Sequence, residues 1–158
     1  MEKNPDIVTI TLNPAIDQTV FLDHFRKDAV NRATRSTRQA GGKGVNVSSL
    51  LGQYGVPSIA TGFLGRANQT IFKEHFKATG VMDEFIRVEG ETRTGIKIID
   101  ESSRETTDIN FPGLEPSFAE MRRLEDKLRK LVRKDRWFVI AGSLPAGISV
   151  GFFEEVMA

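Results

Sequence analysis

The chain has 158 residues, 39% of them hydrophobic and 27% charged, which is the composition of a soluble globular domain with one core. Its 22 lysines and arginines nearly balance 21 acidic residues, so the overall charge does not call for a nucleic acid or a membrane surface as partner. The sequence has no cysteine, no apolar run that could span a bilayer and no signal-peptide pattern, which together favour a cytoplasmic location.

The first predicted element is a buried strand at residues 6–12, a run rich in β-branched residues that ends at Asn13 and Pro14. Asp17 follows the end of this strand closely. Ligands of open α/β sheets bind beyond the carboxyl ends of the strands, so Asp17 is a candidate binding residue. The alternative is that Asp17 only caps a turn.

Two polar strands are predicted next, at residues 19–22 and 31–39, and they form a hairpin. From residue 31 to residue 49 the chain carries no acid and four cations, namely Arg32, Arg35, Arg38 and Lys43. This stretch would attract an anionic small molecule. Cations on exposed edge strands also discourage aggregation, and both interpretations stay open.

A glycine-rich loop at residues 40–47 opens the first predicted helix. Gly41, Gly42 and Gly44 allow close approach to backbone N–H groups, and a helix N-terminus adds partial positive charge, which suits an anion or a polyhydroxy compound. The loop matches neither the Walker A pattern nor the dinucleotide fingerprint. A flexible turn without a ligand is the alternative.

Strands and helices alternate further along the chain. Residues 57–63 predict a second core strand, and Asn68 is predicted to cap a helix that Gly80 terminates. A short strand is predicted at residues 81–86. This alternation favours a doubly wound α/β fold with a mostly parallel sheet.

A second polar hairpin is predicted at residues 92–100 and 105–111, and its first strand carries Arg93. Two polar hairpins inserted into an α/β alternation predict one small accessory sheet that serves as a lid.

The last predicted elements lie between residue 117 and the C-terminus. Ser117 and Glu120 form a capping box for a helix that runs to about residue 134. Residues 137–141 predict a buried strand, and Ser143 lies at its carboxyl end. Ser149 is predicted to begin a further helix.

Several segments, taken in this order, resemble the ribokinase-like (PfkB) family of sugar kinases. They lie at residues 12–17, 40–46, 92–94, 108–111 and 142–145. Within the family, residues 62–69 most resemble the branch that phosphorylates fructose 1-phosphate. The neighbouring branch that acts on tagatose 6-phosphate has similar motifs.

The resemblance implies a set of substrate-binding residues. The sugar hydroxyls would be bound by Asp17, the backbone of Gly42 and the side chain of Asn46. The phosphate already on the sugar would be held by Arg93 and Lys43, with Arg32 and Ser143 as weaker candidates. Lys43 would also face the phosphoryl group in flight.

The resemblance also implies the wider organisation of the protein. The fold would be a doubly wound α/β domain with a small β lid, built from strands near residues 17–39 and 91–111. The lids of two subunits would pair to form a homodimer. The complete enzyme would use ATP and Mg²⁺, without a nucleic acid, a membrane or a metal site in this part of the chain.

One family motif is absent from the sequence. Gly-Ala-Gly-Asp provides the family's general base and its anion hole, and both are needed for phosphoryl transfer. Residues 1–158 are therefore predicted to form the N-terminal, substrate-binding half, which lacks the adenine site and a catalytic residue and is inactive by itself. The alternatives are a non-catalytic sugar-phosphate-binding or dimerising module and, less favoured, a nucleotide-binding domain that uses residues 41–46 as its phosphate loop.

Overall fold

The chain alternates strands with helices, and the computed structural model describes residues 5–149, 151, 152 and 154. The strands are β1 (Ile7–Thr11), β2 (Ala15–Leu22), β3 (Arg35–Gly41), β4 (Ser58–Gly65), β5 (Met82–Asp83), β6 (Ile86–Val88), β7 (Thr94–Asp100), β8 (Glu105–Asn110) and β9 (Trp137–Ile140). The helices are α1 (Lys43–Gln53), α2 (Thr70–Thr79) and α3 (Phe118–Leu131).

The larger sheet pairs its described strands in parallel, in the order β5-β4-β1-β9, with β6 also on β4. Ile7 is in register with Ser58 on one side and with Trp137 on the other. Because β1 has a neighbour on each side, its carboxyl end lies in the interior of the sheet, where a ligand is expected in this type of fold.

Helices cover both faces of the larger sheet. On one face α3 buries Leu124 and Leu128, and on the other α1 and α2 bury Val45, Phe72 and Phe76. Burial of each such side chain contributes about 1.5–3 kcal/mol, so the two clusters hold the strand ends firmly. This arrangement confirms the predicted doubly wound α/β fold.

The two polar hairpins combine into one small sheet, the lid sheet, with strand order β3-β2-β7-β8. Each hairpin is antiparallel, and the contact between them is the parallel pairing of β2 with β7. In this register Asp17 lies between Gln39 and Gly95. The predicted accessory sheet is therefore confirmed.

Several predicted boundaries differ from those of the structure. β3 runs from Arg35 to Gly41 instead of 31–39, because it pairs with β2 over that whole length. The single strand predicted at 81–86 is divided into β5 and β6, and Asp83 Oδ1 accepts a hydrogen bond from Phe85 N in the turn between them. Helix α3 ends at Leu131 rather than near 134.

The predicted caps are confirmed at two helix ends and wrong at one. Gly80 ends α2 in the left-handed conformation, and Ser117 and Glu120 form the capping box of α3. Asn68 does not cap α2, whose N-cap is Gln69 without a side-chain bond. The side chain of Asn68 instead binds the backbone of Thr92.

The predicted burial of the last strand is wrong. Trp137 is 73% exposed, because among the described strands β9 pairs with β1 alone. The helix predicted from Ser149 lies mostly outside the described residues. No helix in the described part of the chain is long and apolar enough to cross a membrane.

Candidate functional site

A polar cavity of about 260 Å³ lies where the lid sheet meets the carboxyl ends of β1 and β9 and the start of α1. Six of the seven predicted binding residues line it, namely Asp17, Gly42, Lys43, Asn46, Arg93 and Ser143. Asn13, Ala15 and Gly142 complete the lining. Residues far apart in the sequence therefore converge on one site, which we call the strand-end cavity.

Gly42 shapes the wall that the cavity shares with α1. Its φ of 123° is a conformation that other residues rarely adopt, and an added Cβ would lie 3.0 Å from Thr11 Cγ2. The helix has no side-chain N-cap and no acidic residue in its first turn. Its first N–H groups and partial positive charge are therefore available to an anion, with Lys43 adding a full charge.

Asp17 lies on β2 at the edge of the strand-end cavity. Burial raises the pKa of its carboxyl group, Arg93 and then Lys97 oppose that rise, and Asp108 adds to it. A Cβ on Gly41 would lie 2.1 Å from Asp17 Oδ2, so only glycine leaves room for this carboxylate. Among the described residues none donates a hydrogen bond to Asp17, and both oxygens can therefore accept bonds from a ligand.

Arg93 is the residue just before β7, and it lines the strand-end cavity. Its Nε donates to Asn13 Oδ1 at 3.0 Å, Nη2 donates to the Asn13 carbonyl oxygen at 3.4 Å, and Nη1 donates to Asn110 Oδ1 at 3.4 Å. A guanidinium has five N–H donors, so two remain for a ligand. This geometry suits an anion with several oxygens, such as a phosphate.

The peptide that carries Arg93 is fixed to the α/β domain. Asn68 Nδ2 donates to the Thr92 carbonyl at 2.8 Å, and Asn68 Oδ1 accepts from Thr92 N at 2.9 Å. Thr92 Oγ1 is buried and accepts from Gly65 N at 2.8 Å. On the lid side, Ile16 N donates to the Arg93 carbonyl at 2.8 Å. These bonds anchor the lid sheet where its strands enter it.

A second cavity of about 340 Å³ adjoins the first on the lid sheet and shares Asp17 with it. Lys97 and Asp108 form an ion pair at 3.3 Å there, next to Gln39 and Asn110. Asp17 therefore lies between a cavity lined by Arg93 and Lys43 and a cavity of mixed charge. A ligand with an anionic group and several hydroxyls would match the cations of the first cavity and the mixed charges of the second.

Arg32 is the predicted residue that the structure does not bring to the strand-end cavity. It lines a separate cavity of about 730 Å³ at the outer end of the lid sheet. That end is near Leu22, five residues along β2 from Asp17, or about 16 Å at the rise of an extended strand. Its position reflects the loop before β3, which begins only at Arg35.

The same outer cavity is organised by Asp100. Burial alone would raise the pKa of this carboxyl, but N–H bonds from Phe25, Ser102, Ser103 and His24 outweigh it and lower the pKa to about 2. The bonds from Phe25 and His24 measure 2.7 and 3.1 Å. Ser102 and Ser103 lie in the turn after Asp100, and His24 and Phe25 lie in the segment after β2, so the carboxylate of Asp100 joins two segments and has a structural role.

Sequence reasoning missed Asn13 as a residue of the site. The pattern Asn13-Pro14 was informative only as the end of a strand, since Asn-Pro is a common turn signal. Its position at the carboxyl end of β1 was the signal that could have identified it. Within the described residues, no group of three or more His, Cys, Asp or Glu side chains could hold a metal ion.

A doubly wound parallel sheet with a small lid sheet at its strand ends defines a ribokinase-like α/β protein. Comparison with protein families then assigns the particular family. The model of the pfkB family carbohydrate kinases matches residues 8–158, and the chain belongs to that family.

Three relatives illustrate this membership. A 1-phosphofructokinase of Rhodobacter capsulatus is 43% identical over 153 residues, which are 96% of this chain and 48% of that protein. A tagatose-6-phosphate kinase of Staphylococcus epidermidis is 35% identical over 151 residues, covering 96% of this chain and 48% of that protein. A crystal structure of a possible 1-phosphofructokinase from Thermotoga maritima has a TM-score of 0.85 at 36% identity, covering 95% and 48%. The chain thus spans about half the length of these relatives.

Proposed function

We propose that this chain is the substrate-binding half of an ATP-dependent 1-phosphofructokinase, which converts fructose 1-phosphate to fructose 1,6-bisphosphate. The observation that carries the proposal is the convergence of Asp17, Lys43 and Arg93 on one polar cavity in a member of a carbohydrate kinase family. The identity of 43% to a 1-phosphofructokinase, against 35% to a tagatose-6-phosphate kinase, favours the former substrate.

In this proposal the described residues bind and orient the sugar phosphate. Asp17 accepts hydrogen bonds from the sugar hydroxyls, and the backbone of Gly42 and the side chain of Asn46 position the ring. Arg93 and Lys43 hold the phosphate through charge-assisted bonds, and Ser143 adds a hydroxyl donor. The contribution of this half is positioning, which accounts for a large part of catalysis in phosphoryl transfer.

The reaction also needs groups that the described residues do not offer. ATP would supply the phosphoryl group and Mg²⁺ would neutralise its charge, but the described residues contain no acidic cluster that fits the ion. Residues 1–158 are proposed to bind sugar phosphate without turnover, and the complete enzyme is proposed to work in the cytoplasm.

The lid sheet is proposed to pair with that of a second subunit. Val20, Ile96 and Ile98 share one face of the sheet by the alternation of strand side chains, and they are only half-buried. Ile109, which is in register with Ile96, is 43% exposed. Leu22, on the same face, is only 3% exposed and cannot contribute. A symmetric partner would cover the remaining apolar face.

Steady-state kinetics on the complete polypeptide that the gene encodes test the proposed activity. The assay supplies ATP and Mg²⁺ with fructose 1-phosphate, tagatose 6-phosphate or fructose 6-phosphate. The highest kcat/KM is expected for fructose 1-phosphate. A higher value for tagatose 6-phosphate would assign the chain to the alternative branch, and turnover of none of the three would refute the proposal.

A parallel assay uses residues 1–158 alone, beside their Lys43→Ala variant. No phosphoryl transfer is expected from either chain, because a missing general base alone typically costs 10²- to 10⁴-fold. Turnover by the wild-type chain above the level of the variant would mean that this half contains a general base.

A further inference from the structure

The side chain of Asn13 links three elements that meet at the strand-end cavity. It follows β1, accepts a hydrogen bond at Oδ1 from Arg93 Nε at 3.0 Å, and donates from Nδ2 to Ser143 Oγ at 3.2 Å. Arg93 precedes β7 and Ser143 follows β9. One amide therefore joins the two residues of the cavity that lie on opposite sides of the β1 strand end.

The orientation of this amide is determined by its partners. Arginine can only donate hydrogen bonds, so the oxygen of the Asn13 amide must face Arg93 and the nitrogen must face Ser143. The side chain is also confined by packing, because a Cβ on Gly113 would lie 2.1 Å from Asn13 Oδ1. The bond between Arg93 and Asn13 is partly buried, so it is less exposed to competition from water than the bond to the exposed Ser143.

The two bonds leave the right donors for an anion. The Nε–H and one Nη2–H of Arg93 are taken by Asn13, which directs the plane of the guanidinium. The Ser143 hydroxyl accepts from Nδ2 of Asn13, so its own proton stays available to a ligand. Without the Asn13 side chain, Ser143 would lose this bond, and Arg93 would keep only its 3.4 Å bonds to the Asn13 carbonyl and to Asn110. Both side chains would be less well oriented, and ordering them would cost binding energy.

We propose that Asn13 is a positioning residue of the phosphate subsite, which acts through Arg93 and Ser143 and so favours phosphorylated over unphosphorylated sugars. This inference deepens the proposed function and rests on it. It concerns how the subsite is held and requires no contact between Asn13 and the ligand.

Calorimetric titration of the complete polypeptide with fructose 1-phosphate and with fructose tests the proposal. Asn13→Ala is expected to weaken binding of fructose 1-phosphate about tenfold, equivalent to about 1.4 kcal/mol, and to leave binding of fructose unchanged. In an Arg93→Ala background the same change should cost clearly less than tenfold, because only the bond to Ser143 is then left to lose. Asn31→Ala is the matched control, since that asparagine holds only its own loop through Arg26 and Ala29.

A second measurement reads the geometry without any ligand. The Arg93 Nε–H resonance, assigned by its loss in Arg93→Lys, should exchange slowly with water in the wild-type protein and rapidly in Asn13→Ala. Asn13→Asp keeps the acceptor for Arg93 but cannot donate to Ser143. It should therefore retain the slow resonance and still bind the sugar phosphate more weakly.

The outcomes separate this inference from the proposed function. Equal losses for both ligands, full additivity with Arg93→Ala, or an unchanged Arg93 resonance in Asn13→Ala would each overturn the positioning role. If the wild-type protein binds no sugar phosphate, the proposed function fails. The resonance then still decides whether Asn13 orients Arg93.

Discussion

Replacing Arg93 with alanine removes a half-buried cation from the strand-end cavity. Three of its N–H groups bind Asn13 and Asn110, and two remain for a ligand. A hydrogen bond to a charged group contributes about 1.5–3 kcal/mol. Exposed ion pairs contribute only about 0–1 kcal/mol, but Arg93 is half-buried and already oriented. We expect the affinity for fructose 1-phosphate to fall about tenfold to a hundredfold.

The affinity for unphosphorylated fructose should change little in Arg93→Ala, because Asp17, Gly42 and Asn46 remain. Calorimetric titration of both ligands at constant pH measures the difference. Arg93→Lys tests whether the planar fork matters beyond the charge, and Arg35→Ala is the control, since Arg35 pairs with Glu101 on the lid sheet. Equal losses for the two ligands would remove Arg93 from the phosphate subsite.

The pH dependence of binding gives an independent readout of Arg93→Ala. Arg93 opposes the rise that burial causes in the pKa of Asp17, so its removal raises that pKa further. A protonated Asp17 can accept fewer hydrogen bonds from sugar hydroxyls. As the pH falls, the variant should therefore lose affinity for fructose at a higher pH than the wild-type protein does.

Gly41, His75 and Ile98 each give a further prediction. Gly41→Ala would place a Cβ 2.1 Å from Asp17 Oδ2, so it should lower sugar affinity at least about tenfold by calorimetry, and unchanged affinity would contradict this account. His75 Nε2 lies 2.5 Å from Ser49 Oγ, and burial lowers the pKa of His75 below its usual 6.5, so the folded state favours the neutral ring. This contribution to stability is complete above about pH 6.5 and is lost as the pH falls through the folded-state pKa; denaturant titrations should show the loss in the wild-type protein and not in His75→Gln. Sedimentation of the complete polypeptide should show a dimer, and the Ile98→Asp variant should be a monomer. A wild-type protein that stays monomeric at high concentration would exclude pairing through the lid sheet.

Much of the fold could be predicted from the sequence because the relevant signals are local. A capping box at Ser117, a terminating glycine at Gly80 and a glycine loop before α1 depend on residues within one or two turns. The alternation of β-branched runs with helical patterns was sufficient to predict the parallel sheet. The polar composition of the two hairpins was likewise sufficient to separate the lid sheet from it.

The boundaries that failed were those set by distant partners. Asn68 has the composition of a helix cap, but its amide matches the backbone of Thr92, which approaches it only after β4 and β7 are in place. β3 begins at Arg35 because its partner β2 ends at Leu22. Trp137 lies in an apolar run, yet whether such a strand is buried depends on having neighbours on both edges.

The sequence by itself determined the elements, the family and the types of residue available for the site. Only the tertiary structure decided which of them meet. Asn13 and Arg93 are 80 positions apart, and Asn13 and Ser143 are 130 apart, so no local pattern encodes their contacts. Their hydrogen bonds form because parallel pairing of β1 with β9 and the entry of β7 into the lid sheet bring three chain segments to one strand end. The same packing leaves Arg32 at the outer end of the lid sheet, where its charge alone could not locate it.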